Sequence, residues 1–129
     1  MRKSLNRYYN PNPRKHEVGD CVVRALCAAE EKDWDEIYSE LCKIGFEVKA
    51  MPNDKETYRE YLLRHGYVRT PISNKKGSKR PRVNDMAKES KSGPVTICEV
   101  AHHLVTVRDG AILDLCDSGE CCLYGYWRK

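Results

Sequence analysis

Apolar residues recur at helical spacing through the first half of the chain and at strand spacing through the last third. Val22, Val23, Leu26 and Ala29 form one stripe behind Asp20, a good N-cap, and predict a helix over about 21–31. Trp34, Ile37, Tyr38 and Leu41 form a second stripe after Asp33, with Glu36 three residues on as in a capping box, and Gly45 marks its expected end. A third helix begins at Asn53 or Asp54, carries Tyr58, Tyr61 and Leu62, and stops at Gly66, a common residue just past a helix. Val83, Met86 and Ala87 share a face and predict a short fourth helix over about 83–90.

After Ser92-Gly93-Pro94 the pattern becomes extended. "VTICEV", "HLVTV" and "AILDL" read as strands, Asp109-Gly110 between the last two is a strong hairpin signal, and a final strand spans roughly Cys122 to Trp127. The first sixteen residues hold two prolines and three asparagines and predict an extended arm, while 70–82 predict a basic loop. Helices first and strands after give one α+β domain over 1–129, with N-terminal helices packed on a small C-terminal antiparallel β-sheet.

Composition narrows the function classes. A chain of 129 residues supports one core and one site, and 40% hydrophobic content with clear periodicity favours a folded domain over disorder. No apolar run reaches the roughly 20 residues needed to cross a bilayer, and the start of the chain has no apolar signal-like core, so a cytoplasmic protein with no membrane partner is expected. The cysteine count of seven is odd and two of them fall on helical patterns, which reads as reduced thiols rather than a disulfide framework.

The net charge of +4 is concentrated in Lys75, Lys76, Lys79, Arg80 and Arg82, a patch for substrate or partner contact. That segment has no aromatic residue, so nucleic acid is the less expected partner. A zinc site built from Cys98, His102, His103, Cys116, Cys121 and Cys122 is an alternative, but these residues lack the usual Cys-x-x-Cys spacing, and no metal is assigned.

One cysteine stands apart. Cys21 follows Gly19-Asp20 in the first turn of its helix, where the positive end of the helix dipole lowers a thiol's pKa. Nucleophilic catalysis also needs a base and a group that orients it. His103 opens a strand, and the Asp109-Gly110 hairpin brings the chain back past it near 115–117. Asp117 falls level with the histidine or one step beyond, whereas a strict two-residue turn pairs Asp114 with Val105 on the histidine's own face, so both acids are candidates. His102 is a lesser candidate for the base.

A Cys opening the first long helix, a His opening a strand and an Asp closing the next resembles the papain-like cysteine peptidase superfamily, over Asp20 to Ser118. "HLVTVRDG" with "DLCDS" is similar to the His-to-Asp segment of Josephin-type and SUMO-protease-like deconjugating enzymes. It is similar too to small bacterial and phage proteins with "GDC", "HL" and "YGYW" motifs. The resemblance implies Cys21 as nucleophile, His103 as general base, Asp117 as orienter (Asp114 the alternative), a polypeptide substrate, and no cofactor. Members often place a Gln before the Cys to hold the oxyanion; this chain has no Gln, and Asn10 or Asn12 would supply that amide. The alternative function is a non-catalytic binding protein on the same scaffold, using the basic loop to engage an acidic partner or nucleic acid. Oligomeric state is left open.

Overall fold

The computed structural model describes residues 3–73 and 75–129. The architecture is mixed α and β, with four helices and a six-stranded sheet. The helices are α1 (Cys21–Glu30), α2 (Trp34–Val48), α3 (Lys55–Arg64) and α4 (Val83–Ser90). The strands are β1 (Asn6–Tyr8), β2 (Val68–Pro71), β3 (Thr96–Val100), β4 (His103–Arg108), β5 (Ala111–Asp114) and β6 (Gly125–Arg128), ordered β1-β5-β4-β3-β6-β2.

Alternation along the central strands explains how both faces of the sheet are covered. Ile97 and Leu104 join Val22, Leu26, Ile37, Leu41, Tyr61 and Trp127 in the core beneath α1, α2 and α3. Their neighbours Cys98, Val105 and Val107 join Val83, Met86, Ala87 and Ile112 in a second core beneath α4. Every residue of β3 is therefore buried.

The expected helices are present, with informative differences at their ends. Gly45 does not end α2, which runs on to Val48 and closes with Lys49 in the left-handed region at φ 63°. The glycine is required for packing instead, because a Cβ there would lie 2.6 Å from the Ala50 carbonyl oxygen. Asp20 and Asp33 stand at the N-cap positions of α1 and α2, but neither side chain makes a capping hydrogen bond, so the capping box is not formed. Gly66, with φ +85°, does end α3 as expected.

The sheet departs from expectation at its edges. The arm contributes β1, which pairs with β5 in parallel, Asn6 opposite Ile112 and Tyr8 opposite Asp114, so the sheet is mixed rather than wholly antiparallel. Thr70 and Pro71, assigned to the basic loop, belong to edge strand β2, where a proline costs no ladder bond facing inward. The last strand starts at Gly125, because the chain before it is drawn off to the loop: Leu123 N–H donates to Pro81, and Cys122 bridges to Arg82. The Asp109-Gly110 turn is as expected, both residues having positive φ, with Arg108 opposite Ala111.

These contacts fix α1 against the sheet. Thr106 Oγ1 donates to the Ala25 carbonyl at 2.6 Å, and Arg108 Nη2 donates to the Ala28 and Ala29 carbonyls at 2.9 Å each, satisfying the helix's C-terminal acceptors. Among the described residues no helix is long and apolar enough to cross a membrane.

Candidate active site

Cys21 is the first residue of α1, and His103 is the first of β4, following a two-residue turn in which His102 takes φ 54°. A non-glycine residue held there is uncommon, and it sits directly before the histidine. The thiol is hydrogen-bonded to the His103 side chain and to the Leu104 backbone. His103 Nε2 meets Asp114 Oδ2 at 2.6 Å, which leaves Nδ1 as the ring nitrogen on the thiol side.

The acid that meets His103 is thus Asp114 and not Asp117. Register supplies the reason: Arg108 opposite Ala111 and Thr106 opposite Leu113 continue to place Asp114 diagonally across from His103, within reach of a long side chain. Asp117 lies beyond the strand, where its Oδ2 accepts from Ser4 Oγ at 2.6 Å and its Oδ1 accepts from Gly119 N–H at 2.8 Å. It closes a turn.

Arg24, to which the sequence patterns assign no role, joins the two ends of the site. Its Nε donates to Asp114 Oδ1 at 3.0 Å and its Nη1 to Asp20 Oδ1 at 2.6 Å, with all three side chains buried. Trp34 Nε1 donates to the other Asp20 oxygen at 2.9 Å. The carboxylate beside Cys21 is therefore neither a helix cap nor an uncompensated charge; it is the counter-ion of Arg24.

The electrostatics follow from these contacts. Burial pushes the Cys21 thiol up, but the His103 hydrogen bond, the Leu104 backbone hydrogen bond and the positive charges of His103 and Arg24 outweigh it, leaving the thiol below the ordinary cysteine range. The hydrogen bond to Asp114 and then that to Cys21 raise His103 to about 9 against the opposing effect of burial. Burial raises Asp114, but its hydrogen bond to His103 and that ring's charge, the Leu115 N–H and the Arg24 charge together outweigh it, so its carboxyl lies below the usual carboxylate value. A lowered thiol beside a raised imidazole favours the thiolate–imidazolium form of the pair. Burial raises both Cys27 and Cys98 to about 12, with nearby acids adding to the effect at Cys27, so these two thiols are inert by comparison.

The pair opens on a cleft of about 440 Å³, whose walls include Asn53, Lys55 and Tyr58 from the α3 region, His102, and Tyr124. Asn53 also borders an adjoining apolar groove with Val18, Trp34, Tyr38, Met51 and Pro52. Its side-chain amide has no hydrogen-bond partner among the described residues. The arm asparagines are otherwise engaged. Asn10 Nδ2 donates to Tyr8 Oη and to the His16 carbonyl at 3.4 Å each, Asn12 Oδ1 accepts Arg14 N–H at 2.8 Å, and neither residue borders the cleft, which corrects their assignment as oxyanion donors. Asn53 precedes α3, far from Cys21 in the chain, so no local pattern marks it as a cleft residue.

Of the basic segment, Arg82 pairs with Glu120 at 2.6 Å and Arg80 lies over the Tyr124 ring at 4.9 Å, while Lys75, Lys76 and Lys79 are exposed. The cysteines and histidines considered for zinc are scattered: Cys98 is buried under α4, Cys116 and Cys121 are exposed, and among the described residues no three such side chains gather as a metal site.

No family model, curated protein or solved structure is found to match this chain.

Proposed function

We propose that the protein is a cysteine-dependent acyl-transfer hydrolase of the papain-like kind, acting on a peptide or isopeptide carbonyl. The observation that carries this reading is the continuous chain of hydrogen bonds from Arg24 through Asp114 and His103 to Cys21, ending on an open cleft. A purely structural ion pair has no need of a thiol at that end.

The chemistry follows from the positions. Cys21 Sγ, held as thiolate, attacks the carbonyl carbon, and the electron pair of the C=O bond moves to oxygen. The α1 N-terminus, presenting the Cys21 backbone N–H, faces the developing negative charge, and the uncommitted Asn53 amide is a further donor in the cleft wall. His103 gives its proton to the leaving nitrogen as the C–N bond breaks, then takes one from the water that hydrolyses the thioester. Asp114 keeps the ring oriented and favours its protonated form before each proton is given up, and Arg24 keeps Asp114 in place.

Limited alkylation with iodoacetamide at pH 7, read by mass spectrometry, tests the reading. An ordinary thiol is only a few per cent ionised there, so Cys21 should label about tenfold faster than exposed Cys116 and Cys121, and His103→Ala should remove the difference. Labelling of Cys21 no faster than Cys116, or indifferent to His103, sinks it and favours a non-catalytic binding protein.

A further inference from the structure

The wall of the Cys21 cleft contains no aspartate or glutamate, and it contains Lys55, whose side chain is exposed. Tyr124, 45% exposed, forms part of the same wall and carries cations on two sides. The Arg80 guanidinium covers its ring, and Arg69 Nη2 donates to its carbonyl at 3.5 Å. Behind it Arg59 and Arg69 both bind one carboxylate, Glu99, at 2.9 and 2.8 Å. Two guanidinium groups on one carboxylate leave one positive charge uncompensated.

The neighbouring acids stand outside the cleft wall. Glu120 is paired with Arg82 and Asn84, and Asp54, which keeps its charge while accepting Met51 N–H at 3.0 Å, is not among the residues that line the cleft. Glu56 is exposed on α3 but borders no part of the cleft. A cleft with Lys55 in its wall and Arg80 stacked on the wall residue Tyr124 concentrates anionic ligands, and low-dielectric side chains such as Tyr58 and Tyr124 strengthen the effect.

We infer that the cleft selects polypeptide segments carrying acidic side chains next to the bond attacked, with Arg80 and Lys55 as the residues that receive them. This rests on the proposed acyl-transfer reading and adds its substrate class. Arg80 is suited to the task because stacking on Tyr124 holds the guanidinium plane while leaving its edge N–H groups free for a carboxylate. Lys55 supplies a point charge on the α3 side of the same opening.

Protection of Cys21 from iodoacetamide reads the selection without a known substrate. Capped hexaglutamate should slow Cys21 labelling about tenfold, the size of one or two charge-assisted contacts, while capped hexaglutamine and hexalysine should not. Added salt should weaken the protection, since exposed charges are screened over about 10 Å at 0.1 M. The Arg80→Glu, Lys55→Glu double variant should lose it, with circular dichroism confirming that the variant is folded. Equal protection by hexaglutamine, or protection that survives the double reversal, overturns acid selection. A Cys21 that labels rapidly but is unprotected by hexaglutamate overturns acid selection alone. A Cys21 no more reactive than Cys116 overturns the acyl-transfer reading and this inference with it.

Discussion

Glu99 and Asp114 are two buried carboxylates built from similar parts, and they do opposite things. Glu99 accepts from Arg59, Arg69, Tyr58 and Trp127 Nε1, the last at 2.7 Å. Asp114 accepts from Arg24 and the Leu115 N–H on one oxygen and meets His103 on the other. Every partner of Glu99 is a donor of fixed protonation at neutral pH, so the cluster ends where it begins. One partner of Asp114 is a histidine that can give up its proton, raised to about 9, and it faces a thiol, so the same kind of buried charge is passed outward to a reactive atom. A buried ion cluster becomes a candidate site when one of its members can exchange a proton and reach a cleft.

Removing Glu99 should give the largest loss of stability. Glu99→Ala strands two guanidinium groups and an indole N–H, and should lower the unfolding free energy by about 3–5 kcal/mol in urea denaturation. A loss below about 1 kcal/mol would mean that the cluster is solvated. The same residue predicts acid lability. Burial raises the Glu99 carboxyl, but its arginine and tryptophan hydrogen bonds bring it down to about 2 from the ordinary 4.5. A depressed carboxylate stabilises above its unfolded pKa, and that contribution of about 3 kcal/mol is lost as pH falls from about 4.5 towards 2. Glu99→Gln should flatten that limb of the stability profile.

Asp114→Asn probes the other cluster through chemistry. With p-nitrophenyl acetate as acyl donor, the rate of Cys21 acylation should fall about a hundredfold, because the ring loses both orientation and charge support. The alkaline limb of the rate profile, set by His103 at about 9, should move down towards the ordinary histidine value of 6.5. The sign follows from the cause: the carboxylate favours the protonated ring, so its removal lets the ring lose its proton at lower pH. An unmoved limb would place the orienting charge elsewhere. Asp117→Ala should have the smallest effect, within about 0.5 kcal/mol in stability and with no shift of either limb, since its partners are Ser4 and a turn N–H.

The site was partly legible before any coordinates. Cys21 and His103 were found because local signals mark them: a thiol in the first turn of an amphipathic helix, and a histidine opening a strand that leads into Asp109-Gly110. Asp114 was only one of two choices. Turn chemistry fixes pairing across a hairpin, but a diagonal contact such as His103 to Asp114 also depends on sheet twist and rotamer. Arg24 was hidden because it occupies an apolar helix face that gives no hint of two buried acids waiting 4 and 90 residues away. The arm's parallel strand was masked by prolines on its C-terminal side, although the paired residues Asn6 to Tyr8 contain none.

By itself the sequence determined the four helices, the hairpin and the two residues, Cys21 and His103, that meet at the cleft, because spacing, turn residues and helix position act over a few residues. Tertiary structure alone decided which acid serves His103, what neutralises Asp20, which amide borders the thiol and where the cations gather. Those depend on charges brought together from distant segments. In a buried setting each is settled by which partner can satisfy it, a choice the linear pattern does not encode.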